Sequence, residues 1–511
     1  MRVVRGAANV ASGLAPARDP RPIREGERIH FVGAGGAGAS AAVLLAHRRG
    51  ATVSGCDAGG PSPYTPPIEA AGIHLEWSHS ASHVTQGRPD RLAVTKALTA
   101  IDPDNPELVA ARTAGIPAEP WQQVIADTAV GKTLVGVAGT HGKSTTSGWL
   151  VHVLVQAGLD PSAFVGALLP PAITGGLSST ARWGSGDPFV VEADEYAGNF
   201  DAYRPDVTVL TSAEWDHPDV FADGGAVVDC FAAWLETTGR TVARPVLVAN
   251  VGDPGVVEVL GRLELESWPG HMVRTWLEPG IGASAPTERS SPEVLVGTIT
   301  AADGDGTTLR LDGCGLTEPL MAHLRLAGRH NASNALGVAG AALVLGVGPD
   351  VLAAGLSSFA GVGRRLEKMG EGRGVVVYDD YGHHPTAIRE TLAAMRQLEP
   401  ARRIWAVYEP LTYHRTAAML DEFADVLATA DAVAIADIWA GRDPDTTITS
   451  ATALAEATAR RKPGLTSLAT GSVEATAAWL AREVRTGDAV LVMGGGKSYR
   501  IAEILVAALQ S

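Results

Sequence analysis

The run Gly139-Thr140-His141-Gly142-Lys143-Ser144 lies between a short apolar, β-branched stretch, Leu134–Ala138, and a helix-forming stretch, Ser147–Ala157, that stops at Gly158. A chain that passes from strand through glycines straight into helix belongs in a parallel sheet covered by helices. Glycines let successive backbone N–H groups converge on phosphate oxygens, and the helix N-terminus adds partial positive charge. Lys143 supplies a cation and Ser144 a hydroxyl suited to Mg²⁺. The strict phosphate-loop spacing would place a glycine at Val137, so this is a variant of it. The competing reading is a tight strand–helix turn with a solvated lysine.

The same strand, glycine turn and helix recur along the chain. Arg28–Val32 enters Gly33-Ala34-Gly35-Gly36-Ala37-Gly38, followed by a helix over Ala39–Arg49 and a strand, Thr52–Ser54, that ends near Asp57. Further strands are expected at Phe189–Glu192 and Val207–Thr211, then at Val375–Tyr378, Ile404–Tyr408, Ala432–Ala436 and Ala489–Met493. The pattern reads as α/β. At roughly 100–200 residues per domain, 511 residues make about three domains. The expected boundaries are an extension over 1–25 and domains over 26–130, 131–362 and 363–511. Gly280–Gly315, rich in Gly, Ser, Asp and Thr, reads as small strands and loops.

The formal charge of −15 argues against a nucleic-acid-binding surface. An anionic ligand would need local N–H groups and a few placed cations. Three widely spaced cysteines, Cys56, Cys230 and Cys314, form no complete disulfide framework and show no zinc spacing, as expected of thiols in a reducing compartment. No segment approaches the roughly 20 apolar residues that span a bilayer. Met1–Glu25 lacks the apolar centre of a secretory signal and reads as a loose extension. A cytoplasmic protein without a membrane partner is expected.

Acidic strand ends follow the phosphate loop. Glu192-Ala193-Asp194-Glu195 closes one strand, and Glu214-Trp215-Asp216-His217 lies just past another. Ligands collect at the carboxyl ends of parallel strands, and Mg²⁺ needs only one or two carboxylates beside its waters. Asn331 and Asn334, three apart, share a face if helical. They either offer amides to a purine edge or, for Asn331, cap the helix. Arg364-Arg365 sits at a domain junction, either reaching a phosphate or forming a surface basic pair. Tyr378-Asp379-Asp380-Tyr381-Gly382-His383-His384-Pro385 clusters Asp and His at a strand end, as a site or a structural turn. It has too few suitably spaced ligands for zinc.

Taken in order, these motifs resemble the Mur ligase superfamily from Ile29 to Glu503. They are Gly-Thr-His-Gly-Lys-Ser at 139–144, Glu-Ala-Asp-Glu at 192–195, Asp-His at 216–217, His-Asn-x-x-Asn at 330–334, Gly-Val-Gly-Arg-Arg at 361–365, and Asp-Asp-Tyr-Gly-His-His-Pro-Thr at 379–386. The last, with the opening His30–Ser40, looks like the branch that joins L-alanine to UDP-N-acetylmuramate. The resemblance implies a Rossmann-like N-terminal domain, a P-loop-type central ATPase domain and a mobile Rossmann-like C-terminal domain. It implies that the lactyl carboxylate attacks the γ-phosphate of ATP and that alanine then attacks the acyl phosphate. By the same resemblance, Gly139, Thr140, His141, Gly142, Lys143, Ser144 and Thr145 hold ATP. Ser144, Glu192 and His217 serve Mg²⁺, and Asn331 and Asn334 hold adenine. Arg365 contacts phosphate, Asp380 helps place the nucleotide, and His384 lies near the reacting groups. Gly33, Gly35, Gly36 and Gly38, with Asp57, receive the sugar nucleotide. The assembly state is expected to be monomer or homodimer.

The chain departs from the family pattern in three places. Thr95-Lys96-Ala97-Leu98-Thr99 stands where Ser-Ser-Ala-Ile-Pro is usual. Glu409-Pro410-Leu411-Thr412-Tyr413-His414-Arg415 replaces Gln-Pro-His-x-Tyr-x-Arg. Gly494-Gly495-Gly496-Lys497 replaces Gly-Ala-Gly-Asp. Three other readings stay open. Gly33, Gly35, Gly38 and Asp57 also fit a dinucleotide fingerprint, hence an oxidoreductase. A recycling ligase would attach a whole peptide to the same sugar nucleotide. A catalytically silent nucleotide-binding scaffold is the third.

Overall fold

A computed structural model describes residues 10–263, 268–279, 293–441, 443 and 445–511. Three sheets follow one another along the chain. The first has the spatial order Leu75–Glu76, Thr52–Cys56, Arg28–Val32, Arg91–Val94, Ala118–Pro120, all parallel. The second has ten strands. Its parallel centre runs Val294–Asp303, His271–Glu278, Val246–Asn250, Val207–Leu210, Thr133–Ala138, Pro188–Ala193, Ser162–Leu169. Antiparallel strands flank it: Gly306–Gly313 and Leu320–Leu324 on one side, Ser179–Arg182 on the other. The third sheet has the order Glu367–Gly372, Val375–Asp380, Asp488–Met493, Arg403–Tyr408, Ala432–Ala436, Thr466–Gly471. Only its first pair is antiparallel.

The central strands are unbroken Val, Leu and Ala runs because helices cover both faces of the sheet. Val207–Leu210 and Val375–Asp380 are buried at every position. The strands that the sequence left unassigned are of two kinds. Thr466–Gly471 and Glu367–Gly372 are sheet edges, largely exposed and carrying Gly or charge, so no apolar run marks them. Ser162–Leu169, Val246–Asn250 and His271–Glu278 are interior; the first is broken by Gly166, the second spans only five residues, and the third carries His271, Arg274 and Thr275. Of Gly280–Gly315, residues 280–292 lie outside the described residues, and the remainder supplies the antiparallel pair Val294–Asp303 and Gly306–Gly313.

The first and second sheets share one apolar core. Helix Ala37–Arg48 lies between them, and its Ser40 hydroxyl meets Thr180 Oγ1 at 3.1 Å. The third sheet has its own two cores.

The extension is not loose over its described part. Arg18 bonds Glu119 and Asp127 at 2.8 and 2.7 Å, Arg21 bonds Glu27 at 2.6 Å, and Ile23 is buried. Arg91, 1% exposed, joins the same three carboxylates at 2.5–3.1 Å. Three guanidinium groups balance three carboxylates, which is the condition for burying charge at low cost. No charge periodicity announces such a network, because its members come from distant segments. Arg91→Met strands Glu27, Glu119 and Asp127 around one missing cation. It is expected to lower stability by about 3–5 kcal/mol, read as a drop in the first thermal unfolding transition; an unchanged transition would show the network to be neutral.

Candidate functional site

The phosphate loop leaves the middle of the second sheet, between strands Val207–Leu210 and Pro188–Ala193. Gly139 and Gly142 have φ of 132° and 81°, which only glycine adopts without strain. Gly142 is the N-cap, so the helix starts at Lys143 and runs to Gln156, four residues earlier than apolar periodicity suggested. Ser144, Thr145, Thr146 and Ser147 are buried there despite their polarity, which hid the first turn.

Lys143 Nζ donates to Gly139 O (2.6 Å) and Glu195 Oε2 (2.9 Å), with Asp194 at 3.6 Å. Burial alone would lower its pKa, but the carboxylates of Glu195 and Asp194 outweigh that and raise it, so the cation is fixed. This rules out the reading of a solvated lysine. Ser144 Oγ donates to Glu192 Oε1 at 3.0 Å, and Arg365 reaches across from the third domain to Ser144 Oγ at 2.9 Å. Arg365 is therefore not half of a surface pair. Its neighbour Arg364 is bound to Asp379 at 2.8 Å. His217 is not with Glu192; it groups with Asp194 and Glu195. The acidic strand ends thus make two adjacent clusters rather than one.

Helix Arg329–Val344 begins after Gly328, so Asn331 is inside the helix and not its cap. Its Nδ2 donates to Ala327 O at 2.7 Å, and Asn334 Nδ2 donates to Asn331 Oδ1 at 3.3 Å. Both line the cleft. Asn334 stands so close to Gly142 that a Cβ there would lie 2.4 Å from Asn334 Oδ1. Asp380 also lines the cleft, but its oxygens accept from Leu366 N (2.8 Å) and Gly382 N (2.7 Å). It fixes the turn that carries Arg365.

The second and third domains meet through Glu214. His141 Nε2 and Thr386 Oγ1 bond its two oxygens at 2.8 and 2.7 Å. Burial would raise the Glu214 pKa, but His141, His384 and Thr386 hold it at about 2. His384 Nε2 lies 3.1 Å from Trp215 O, and its Nδ1 accepts from Thr386 N at 3.3 Å. Those partners require the proton on Nε2, and burial with His141 nearby lowers the pKa to about 4. His384 is a neutral positioning group. Nearby, Arg415, 4% exposed, bonds Asp216 at 2.5 Å and His217 Nδ1 at 3.2 Å.

Sequence reasoning assigned no role to Glu214, Thr386 or Arg415. All three stand inside runs that were singled out, at 214–217, 379–386 and 409–415, which was the available signal. Lys96 was noted only as a departure. It is buried and donates to Ala197 O and Gly198 O at 2.8 and 2.9 Å, holding the left-handed turn after Glu195.

These groups surround a cleft of about 1700 Å³ lined by all three domains. That exceeds the usual volume of a single small-ligand pocket, roughly 300–1,000 Å³. Gly38 lines it; Gly33, Gly35, Gly36 and Asp57 do not. The N–H groups of Gly33 and Ala34 donate to Cys56 O, and Gly35 N donates to Asp57 Oδ2 at 2.8 Å. The donors expected of Gly33 and Gly35 are thus satisfied internally, and Asp57 braces the turn. The orphan donors begin with the first turn of helix Ala37–Arg48. Among the described residues no helix is long and apolar enough to cross a membrane.

A family model described as Mur ligase family, catalytic domain, matches residues 28–133, and one described as Mur ligase, glutamate ligase domain, matches 364–496. The chain is 36% identical over 489 residues to a UDP-N-acetylmuramate–L-alanine ligase of Mycobacterium sp. (strain JLS), with 95% of each chain covered. It is 38% identical over 471 residues to one of Kineococcus radiotolerans, covering 92% of this chain and 93% of that one. The fold matches the crystal structure of a UDP-N-acetylmuramate–alanine ligase from Thermotoga maritima, with TM-score 0.74, 23% identity, and coverage of 94% of this chain and 98% of that one. It also matches a murein peptide ligase from Psychrobacter arcticus, with TM-score 0.68, 24% identity, and coverage of 95% and 99%. With relatives this similar over nearly the whole length, and three α/β domains around one phosphate-loop cleft, the chain belongs to the Mur ligase family.

Proposed function

We propose that this protein joins L-alanine to the lactyl carboxylate of UDP-N-acetylmuramate in the cytoplasm, using ATP and Mg²⁺, as a step of peptidoglycan precursor synthesis. The observation that carries this reading is the meeting of Lys143, Ser144 and Glu192 from the second domain with Arg365 from the third at one point of a cleft that the first domain also lines. Such a meeting suits phosphoryl transfer from a nucleotide to a carboxylate, where catalysis is positioning and neutralisation of charge. An oxidoreductase would leave that convergence without a purpose. We place the domains at 26–130, 131–362 and 363–511.

Ser144 Oγ and Glu192 offer adjacent oxygens, a donor set that fits Mg²⁺. The ion, when bound, would neutralise charge on the transferring phosphate. Lys143 and Arg365 do the rest of that work from opposite sides. Gly139, Thr140, His141, Gly142 and Thr145 shape the loop around the phosphates. Asn331 and Asn334 face the same loop for the base, and His384 holds the Glu214 strap in register. The turn braced by Asp57 presents Gly38, in the first turn of helix Ala37–Arg48, to the sugar nucleotide. Phosphate release should require ATP, Mg²⁺, UDP-N-acetylmuramate and L-alanine together, with the amide product seen by mass. A tripeptide accepted in place of alanine would instead make the protein a recycling ligase. Lys143→Ala should lower kcat by about 10²-fold or more while sugar-nucleotide affinity stays within about twofold; loss of that affinity in a folded variant would contradict the separation of the two sites.

The third domain's departures meet at one place. The Glu409 carboxylate lies against the glycine run, 2.8 Å from where a Cβ on Gly496 would stand. Burial raises its pKa to about 7, against the pull of backbone N–H groups of Ser498 and Lys497 and the charges of Arg364 and Lys497. Between about pH 4.5 and 7 the folded chain keeps a proton that the unfolded chain has released, so stability falls as pH rises through that window. Glu409→Gln removes this fall. Its stability relative to the parent should increase from pH 5 to pH 8 by up to about 3 kcal/mol, at about 1.4 kcal/mol per pKa unit. Parallel thermal-melting profiles for the two proteins would exclude a shifted Glu409.

A further inference from the structure

We propose that the first domain carries a buried zinc site formed by His30, Cys56, His83 and Glu107. One ligand atom from each of the four residues can be chosen so that all lie within 4.8 Å of one another. In a tetrahedral zinc site, with bonds of about 2.0–2.3 Å, ligand atoms stand about 3.3–3.8 Å apart. Closing the gap needs about an ångström of side-chain adjustment. None of the four lines the cleft.

The four come from four elements: strand Arg28–Val32, the last residue of strand Thr52–Cys56, helix Ser82–Thr85, and the first turn of helix Pro106–Ala114. No linear cysteine spacing could reveal them. His30, Cys56 and Glu107 are 2%, 0% and 0% exposed. His30 Nδ1 is engaged by Ser54 Oγ at 2.9 Å, while its Nε2 is buried with no hydrogen-bond partner. That is the arrangement of a metal-ligating histidine, one nitrogen oriented by a neighbour and the other left for the ion. Its ring faces the His83 ring at 5.3 Å. Glu107 Oε1 accepts from Cys56 Sγ at 3.1 Å, His83 Nδ1 at 2.7 Å and Ser80 N at 3.0 Å, while its Oε2, 3.0 Å from His79 Nδ1, is buried with no hydrogen-bond partner.

The donor set also balances in charge. A thiolate and a carboxylate neutralise Zn²⁺, and two neutral imidazoles complete four ligands, so the buried assembly carries no net charge. On binding, the Cys56 S–H bond breaks and its proton leaves to solvent. The sulfur's electron pair then forms the Zn–S bond in place of the hydrogen bond to Glu107. The ion would clip the middle of one strand and the end of another to two helices, with Cys56 one residue before Asp57, which braces the Gly35 turn.

Cobalt tests this, because a thiolate ligand gives Co²⁺ a charge-transfer absorption that oxygen and nitrogen ligands do not. Among the described residues, the two other clusters of potential ligands, His141–Glu214–His384 and Asp194–Glu195–His217, contain no sulfur. Reduced, chelator-stripped full-length protein titrated with Co²⁺ should develop that band, saturate it at one equivalent, and lose it on adding Zn²⁺. Zn²⁺ should raise the melting temperature of the parent. Cys56→Ser should abolish the band, and His83→Asn should weaken cobalt binding by at least about tenfold and remove the zinc-dependent rise. If Cys56→Ser does not fold, His83→Asn alone decides the matter. Absence of the band in folded parent protein, its survival in Cys56→Ser, or unaltered affinity in His83→Asn would overturn the site.

Discussion

A parallel strand points its carboxyl end at one edge of its sheet, and in this protein two such edges face each other. Loops after Ala138, Ala193 and Leu210 come from the second sheet, and loops after Asp380, Tyr408 and Met493 from the third. Much of the charge that the cleft contains is carried on these loops, joined by Arg365 from the linker before Glu367–Gly372. The consequence is that opposite charges meet with little water between them, where each must find a partner or be neutralised. Lys143 with Glu195, Arg415 with Asp216 and Arg364 with Asp379 satisfy that requirement, and each uses residues distant in sequence.

The chemistry of the loops was legible where it depended on residue type at fixed local spacing. The phosphate loop, the shared face of Asn331 and Asn334, and the buried central strands are of this kind. Relations between loops were not legible. Glu192 and His217 look alike as candidate metal ligands in the chain, yet one turns to Ser144 and the other to Asp194 and Glu195. Asp380 reads as a ligand-facing carboxylate, and its oxygens are engaged by backbone N–H groups. The turn Gly33–Gly38 reads as a row of free donors, and Cys56 and Asp57 take the first of them. In each case the local pattern identified a polar group correctly, and the partner that occupies it arrived from elsewhere in the fold.

The departures from the family pattern also gain physical meaning. Lys96 stands where a small residue is usual, and its ammonium group binds carbonyls of the left-handed turn beyond Glu195. Glu409 and Lys497 differ from the usual Gln and Asp, moving a carboxylate from one strand end to the other while an amine takes its former place. The pair thereby goes from a lone carboxylate to a carboxylate with an ammonium group, so both the balance and the position of charge differ at these two strand ends.

The shared core of the first two sheets has a mechanical corollary. Apolar packing, the Ser40–Thr180 contact and the Lys96 tether join those two domains through side chains of both. The third has its own cores and meets the other two domains through polar contacts at Ser144, Glu214, Trp215 and Asp216 and through the Trp215 ring, which packs against its core. Polar contacts can be exchanged for water or substrate with little net change in free energy, whereas an apolar core cannot. The linker through Gly361 and Gly363 is the covalent path between the two, and Gly361, at φ 100°, holds a backbone conformation that favours glycine. The turn Gly33–Gly38 and the phosphate loop therefore rest on one continuous apolar core, while Arg365 reaches the phosphate loop from outside it.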